Sequence, residues 1–285
     1  MKRLEVQVNE LLGKVLTISA IVIMLASCTN SVTDIQLQTP ELEELSIEQR
    51  QDDSGFKAEN QHHDEEKDYI TIGDQQISTG LSELSLSGLN LTDEDIIPLK
   101  YMTYLINLEL SYNQISDITP LSWLAHLERL DLSDNQIFDL TPLSVLASLH
   151  TLSLQYNQIV NLSPLSSLAN LDSLNLHNNQ INDISPLSGL TTLTNLSLSN
   201  NQISDLTPLS GIRLLTALWL SGNQVSDLSP LAGHPNLGGV WLSDNQISDL
   251  TPLSHMNRLA FLTLDGNPVT DWSPLEHLGS VVGRP

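Results

Sequence analysis

From residue 81 onward, apolar and polar residues recur with one fixed period. The recurring pattern is Leu-x-x-Leu-x-Leu-x-x-Asn-x-Ile, as in Leu105, Leu108, Leu110, Asn113 and Ile115. The asparagine returns every 22 residues, at Asn113, Asn135, Asn157, Asn179, Asn201, Asn223, Asn245 and Asn267. A slightly longer segment before them carries Leu89 at the asparagine position. The pattern therefore predicts about nine stacked coils of chain.

The residue pattern within each coil predicts one short strand followed by a tight turn. Leu108 and Leu110 alternate with Glu109, so the leucines point inward and the glutamate points outward. We expect these strands to form a parallel sheet about 4.8 Å apart. The asparagine then turns the chain inward, and its side chain is expected to bind free backbone groups rather than a ligand.

The return segment of each coil begins with Ser or Thr followed by Pro-Leu, as in Thr119-Pro120-Leu121. This pattern predicts a short 3₁₀ helix in which the hydroxyl residue caps the start and proline takes the first helical position. An aspartate two residues earlier recurs in nearly every coil, with Asn161 as the exception. Either these carboxylates accept backbone hydrogen bonds, which we favour, or cations collect along the row.

This repeat resembles the leucine-rich repeat, in the 22-residue class found in bacterial internalins and in the leucine-rich regulatory subunit of protein phosphatase 1. The resemblance covers residues 81–285. It implies a right-handed α/β solenoid with the parallel sheet on its concave face and 3₁₀ turns on its convex face. It also implies a non-enzymatic module for protein–protein interaction, with a ligand that the resemblance does not identify.

The ends of the solenoid need covering, because each terminal coil exposes core. Residues 69–80 predict a short hairpin cap, with Gly73-Asp74 as its two-residue turn. After Leu278 the sequence shows no distinct cap, and we expect Trp272 to cover part of that end.

Residues 1–27 predict a signal peptide, since the apolar run from Val15 to Ala26 is too short to span a bilayer. The run ends Leu25-Ala26-Ser27-Cys28, which resembles the lipobox of bacterial lipoproteins. That resemblance implies lipid attachment at Cys28 and a location anchored to a membrane outside the cytoplasm. Residues 28–68 are rich in Asp and Glu and predict a flexible tether with a reach of roughly 35 Å.

Charge and chemistry narrow the possible functions. With 11 basic and 34 acidic residues the net charge is −23, which excludes nucleic acid as a partner. One cysteine excludes an internal disulfide. The chain shows no phosphate loop, nucleophile motif or zinc signature, and its histidines fall at unrelated repeat positions, so we predict no cofactor, metal or enzymatic activity. We also expect a monomer.

The outward residues of the strands are the candidate binding surface. Most of them are small and polar, but Trp219 and Trp241 occupy equivalent positions in consecutive coils and Phe261 lies beside them. Further candidates lie along the same face: Asn175, His177, Asn195, Tyr156 and Tyr112. A protein or peptide partner is favoured and a polysaccharide is the alternative. Two other readings stay open, in which the rings only stack on one another or the solenoid is a spacer without a ligand.

Overall fold

The computed structural model describes residues 68–279 and 281–283. The signal segment, Cys28 and all of the tether except Asp68 lie outside the described residues. Within the described part, ten short strands form one parallel sheet in which each strand pairs with the next in chain order. They are β3 (Glu83–Ser85), β4 (Asn107–Glu109), β5 (Arg129–Asp131), β6 (Thr151–Ser153), β7 (Ser173–Asn175), β8 (Asn195–Ser197), β9 (Ala217–Trp219), β10 (Gly239–Trp241), β11 (Phe261–Thr263) and β12 (Val281–Val282).

The sheet register stacks equivalent residues of successive coils. Leu108 pairs with Leu130, which pairs with Leu152, and these side chains are buried. The other apolar positions of the repeat form parallel columns of buried leucine and isoleucine, all within one core cluster. Burial of aliphatic side chains against the next coil is therefore what holds the coils together. The fold is the expected leucine-rich-repeat α/β solenoid.

A hairpin precedes the first coil. Strands β1 (Tyr69–Ile72) and β2 (Gln75–Ser78) pair antiparallel, and Ile72 lies opposite Gln75 across the turn. Gly73 has φ of +57°, a conformation that favours glycine. Ile70 and Ile77 are buried in the same core cluster as the coils, so the hairpin covers apolar surface at this end.

The repeated asparagine joins each coil to the one before it. Asn157 Nδ2 donates to the carbonyl oxygens of Leu154 in its own coil, at 3.1 Å, and Leu132 in the preceding coil, at 3.0 Å. Its Oδ1 accepts the backbone N–H of Ile137 at 2.9 Å. These contacts use both ends of the amide on backbone groups that would otherwise be buried without partners.

The return segments form short helices opposite the sheet. One α-helical turn, α1 (Asp93–Ile96), precedes the first 3₁₀ helix. The 3₁₀ helices are η1 (Ile97–Tyr101), η2 (Thr119–Trp123), η3 (Thr141–Val145), η4 (Ser163–Ser167), η5 (Ser185–Gly189), η6 (Thr207–Leu209), η7 (Ser229–Leu231), η8 (Thr251–Leu253) and η9 (Ser273–Leu275).

The start of these helices differs from the sequence prediction. Ser or Thr is the first helical residue rather than the cap, and proline is the second. The aspartate before it makes the capping contacts: Asp139 Oδ1 accepts from Thr141 Oγ1 at 2.6 Å and from Thr141 N–H at 2.9 Å. The N–H of Leu143, two residues after Thr141, already donates to Leu140 O at 2.9 Å, so the hydroxyl of Thr141 is not needed there, and the carboxylate two residues earlier accepts the free N–H of Thr141 instead.

These hydrogen bonds explain why a row of like charges is tolerated. The Thr141 side chain and then its N–H lower the pKa of Asp139, and the Ser185 N–H and then its hydroxyl lower that of Asp183. The pKa is lowered in the same way at Asp205, Asp227, Asp249 and Asp271. Hydrogen bonding thus favours the ionised form at these six aspartates, in agreement with the first of the two alternatives for the row.

The last leucine-rich coil is covered by a strand that the sequence analysis missed. Val281 pairs with Leu262 and Val282 with Thr263, extending the sheet by β12. Leu264 N–H donates to Val282 O at 2.9 Å, and both Val281 and Trp272 pack against the core. The sequence shows no distinct cap at this end, and the structure supplies one in β12, with Trp272 covering part of the core as expected.

Candidate binding surface

The outward side chains of strands β3–β11 form one continuous surface, which we call the sheet face. It consists of the first and third residue of each strand, because the second residue points into the core. The register places Ser197, Trp219, Trp241 and Thr263 in a single row across four strands. Two consecutive tryptophans in a row of small polar residues are the main irregularity of this surface.

The two indole rings are stacked. The ring centroids of Trp219 and Trp241 lie 4.6 Å apart with 10° between the ring planes. Phe261 follows on the other side of Trp241, at 6.0 Å and 30°. The spacing of the indoles matches the spacing of the strands that carry them. The rings therefore stand side by side and direct their edges, rather than their faces, towards solvent.

Small residues make room for this stack. A Cβ atom at Gly239 would lie only 2.8 Å from Cη2 of Trp241, so the indole lies directly over the glycine backbone. The equivalent position before Trp219 is Ala217. Both indoles are half-buried as a result, and Phe261, which occupies the glycine's position on the next strand, is 55% exposed.

A second group of candidates meets beyond the ends of β6 and β7. The rings of Tyr156 and His177 lie 5.4 Å apart, edge to face. The Oδ1 atom of Asn175 accepts the backbone N–H of His177 at 3.2 Å, and His177 Nε2 lies 2.8 Å from Asn178 Nδ2. The structure therefore brings Tyr156, His177 and Asn175 into one polar and aromatic cluster.

The two tyrosines of the candidate set have an unusual backbone conformation. Tyr112 and Tyr156 have φ of +57° and +56°, in the left-handed region. Equivalent positions in other coils carry Asn, Asp or Gly, which tolerate this conformation better. The tyrosine side chains are exposed, so the packing of the coil does not account for their presence at a strained position.

The two remaining candidate residues, Tyr112 and Asn195, lie outside both the tryptophan stack and the Tyr156 cluster. Tyr112 lies two coils from Tyr156, with Asp134 at the equivalent position between them. Asn195 begins β8, the strand between the Tyr156 cluster and the tryptophan stack, and its Oδ1 accepts Thr216 Oγ1 at 3.4 Å. The structure thus gives two groups, separated by β8 and about 10 Å of sheet, rather than one compact site.

An acidic groove at the other end of the sheet face was missed by sequence reasoning. It has a volume of about 460 Å³ and is lined by side chains of β3–β6. Glu83, Glu109 and Asp131 contribute carboxylates, and Arg129 contributes the one cation among the lining residues. Beside the groove, burial and the Asp131 charge raise the pKa of Asp134. The residues had been assigned to the sheet face, but the groove itself depends on the sizes of neighbouring side chains.

The described residues contain neither a cluster suited to a metal ion nor a helix suited to a membrane. No group of three or more His, Cys, Asp or Glu side chains there is arranged to hold a metal ion. No helix in that part of the chain has the length and apolar character needed to cross a membrane.

Comparisons with known proteins identify the class. A family model for two copies of the leucine-rich repeat matches residues 147–189 and 191–233, and a single-repeat model matches residues 124–139. No curated protein matches the sequence significantly. The repeats, the parallel sheet and the short 3₁₀ turns define a leucine-rich-repeat protein.

Solved structures narrow the class to a family. An internalin C2 from Listeria monocytogenes is 43% identical over 65% of this chain and 83% of that chain, with a TM-score of 0.62. An internalin, inlF, from the same species is 28% identical over 73% of this chain and 71% of that chain, with the same TM-score of 0.62. The plant peptide hormone receptor RGFR1, in complex with RGF2, is 27% identical over 61% of this chain and 30% of that chain, with a TM-score of 0.54. The chain belongs to the internalin-like leucine-rich-repeat proteins.

Proposed function

We propose that this chain is a non-enzymatic binding protein that holds a protein or peptide partner on its sheet face. The stacked Trp219, Trp241 and Phe261 are the observation that carries this proposal. The fold does not require aromatic residues there, because the equivalent positions of most other strands are small and polar. Half-buried tryptophans on rigid strands are typical anchors of protein interfaces.

The stack also indicates which kind of partner fits. A sugar ring binds tryptophan through an open ring face, but Trp241 has a neighbouring ring on each side, so among the indole faces only the one of Trp219 that adjoins Ser197 lacks a ring neighbour. The edge of the Trp241 ring and the exposed Phe261 instead offer an apolar contact to a partner's side chain that lies against the stack. This arrangement favours the polypeptide partner over the polysaccharide. The plant receptor of the same fold, solved in complex with RGF2, is a peptide hormone receptor.

The acidic groove and the tryptophan stack together would fix the orientation of a bound partner along the sheet face. Glu83, Glu109 and Asp131 lie on β3–β5, and the tryptophan stack lies on β9 and β10 of the same sheet. A partner that spans the sheet face would place Lys or Arg side chains at the groove and an apolar side chain at the stack. Electrostatic attraction at the groove would then raise the association rate and weaken with salt.

Affinity measurements with the sheet-face variants test the proposal. A partner is first captured from cell-surface protein extracts and its dissociation constant is measured by calorimetry, in parallel with a glycan array. Replacing both Trp219→Ala and Trp241→Ala should weaken binding at least 30-fold, as expected for a hot spot of about 2 kcal/mol. Gly239→Ala should give an intermediate loss, since it displaces the Trp241 ring without removing it.

Phe138→Ala is the matched control, because Phe138 is an exposed aromatic residue that does not belong to the sheet face. It should leave the affinity unchanged. Equal affinity of the wild type and the double tryptophan variant would exclude the stack as the site. Binding to a glycan rather than a protein, lost on the same substitutions, would support the polysaccharide alternative.

The location that we propose is the outer side of a bacterial membrane, with lipid attached at Cys28. The support is the sequence Leu25-Ala26-Ser27-Cys28 after a short apolar run. Growth with a labelled fatty acid should label the protein, and Cys28→Ala should abolish the label while leaving the solenoid folded. Labelling that survives this substitution would contradict attachment at Cys28.

A further inference from the structure

A column of exposed apolar residues lies on the 3₁₀ side of the solenoid, opposite the sheet face. Tyr101, Trp123 and Val145 are the last residues of the successive helices η1, η2 and η3. Their side chains are 47%, 66% and 59% exposed. Because the three helices are neighbours in successive coils, these side chains form one continuous strip.

The strip is confined to three coils. The equivalent residues of the following coils are Ser167, Gly189, Gly211, Gly233, His255 and His277. The solenoid therefore folds well with small or polar residues at this position, and the apolar side chains are not needed to stabilise the coil. An exposed apolar strip that the fold does not need indicates a contact surface.

The N-terminal hairpin extends the strip. Tyr69 of β1 and Ile97 of η1 line a depression of about 330 Å³ together with Tyr101. Both Tyr69 and Ile97 are about half exposed. We call the surface formed by Tyr69, Ile97, Tyr101, Trp123 and Val145 the helical-side patch. The five side chains carry no charge, and the nearby Lys100 Nζ lies 5.1 Å from the centre of the Tyr101 ring.

We infer that the helical-side patch is the contact between two copies of this chain, related by a twofold axis. In such a contact the patch meets itself, so one apolar surface is matched in size and character by another. With about 200 Å² for a whole aromatic side chain, the half-exposed residues offer roughly 450 Å² per copy. Two copies, together with the half-buried Pro98, Pro120 and Pro142 of the same helices, reach the roughly 1,000 Å² of a weak but specific interface.

The net charge of the molecule predicts how the dimer responds to salt. Each copy has a net charge of −23, so two copies repel each other, while the five side chains of the helical-side patch are uncharged and form no ion pair that salt would weaken. Screening reduces the repulsion and leaves the apolar contact in place. The dimer should therefore become tighter as salt is added, whereas a contact that depends on opposite charges becomes weaker. The proposed dimer differs from the monomer that we expect from the sequence alone.

Sedimentation equilibrium of the full chain tests the dimer, with Cys28→Ser present in every sample so that no lipid is attached. The mass should rise from 31.4 kDa towards twice that value at micromolar to submillimolar concentrations. The dissociation constant should fall at least threefold between 0.05 and 0.5 M NaCl. The double variant Trp123→Ser with Val145→Ser introduces the small polar side chain that Ser167 has at the equivalent position of the next coil. It should raise the dissociation constant of the dimer at least tenfold.

The control is the double variant Phe138→Ser with Val160→Ser. These two residues are similarly exposed and lie in adjacent coils, but before the 3₁₀ helices rather than at their ends. This variant should dimerise like the wild type. A wild type that stays monomeric at every concentration overturns the inference. So does a Trp123/Val145 variant that dimerises normally, or a patch that instead binds zwitterionic lipid vesicles as a monomer.

Discussion

At the scale of single residues, His234 is the side chain that least fits its surroundings. It occupies the column held by Leu190, Ile212 and Met256 in neighbouring coils, and only 3% of its surface is exposed. Neither ring nitrogen makes a well-aligned hydrogen bond within the described part of the chain. Burial first, and the charge of Arg213 second, lower the pKa of His234, and weaker contacts with two nearby backbone groups act in the opposite direction. The fold therefore favours the neutral form of this histidine.

Stability should consequently decrease in acid. The unfolded chain binds a proton at His234 near pH 6.5, whereas the folded chain binds it only at a lower pH, so the free energy of unfolding falls as the pH drops below 6.5. The contribution at pH 5 is at most about 2 kcal/mol. His234→Leu should remove this part of the pH dependence, and its stabilising effect relative to the wild type should grow as the pH is lowered from 7 to 5.

Urea unfolding at pH 5, 6, 7 and 8 measures the effect. His126→Leu is the matched control, since His126 is exposed on the surface, and it should keep the pH profile of the wild type. Parallel profiles for the wild type and His234→Leu would show that His234 takes up its proton equally in both states. The repeat register already marks residue 234 as a core position, so this feature could have been found from the sequence.

At the scale of elements, the repeat predicted those features of the fold that follow from the 22-residue period and from the alternation of side chains along a strand. The strand leucines, the buried asparagines and the position of the short helices all follow from one 22-residue pattern. The pattern could not predict which neighbouring side chains stack. The parallel indoles of Trp219 and Trp241 require Gly239 beneath one ring, and the sequence alone does not show that the ring turns back over it.

The missed elements are those without the repeat signature. Val281-Val282 lacks the leucine and asparagine positions, so a two-residue strand there gave no signal, yet it extends the sheet. The acidic groove was missed for a similar reason, because it is formed between strands by Glu83, Glu109 and Asp131 rather than within one motif. Sequence reasoning from a repeat describes each coil well and describes the surface across coils less well.

At the scale of the whole molecule, the described domain has two faces with different chemistry. The sheet face carries an acidic groove at one end and aromatic residues towards the other, whereas the helical-side patch is apolar and lies on the first three coils. The two surfaces share no residue and do not overlap. A dimer formed through the helical-side patch would therefore leave both sheet faces open and present two binding surfaces at once, which raises avidity for a repeated partner.

In a solenoid each coil contacts only the coils next to it. A substitution in β12 should therefore destabilise mainly the neighbouring coil. Val281 packs against the core, while the adjacent Val282 is half exposed. Val281→Asp places a charge against the apolar end of the core and should destabilise the last coil by roughly 1–2 kcal/mol, whereas Val282→Ser should change little. Amide hydrogen exchange should then accelerate at Leu264, whose N–H donates to Val282 O, and at the β11 amides that donate to neighbouring coils.

Exchange at β4 and β5 should remain as in the wild type, because these strands lie at the far end of the sheet. Phe261 begins β11 and contacts Trp241, so fraying of the last coil reaches the aromatic stack directly. Val281→Asp should accordingly weaken partner binding at the stack by severalfold without altering any residue of the sheet face. Uniformly faster exchange along the whole solenoid would mean that the coils unfold as one unit, and the nearest-neighbour account would then fail. Faster exchange confined to β11 and its neighbours, together with weaker binding, would show that β12 keeps the binding end of the sheet ordered.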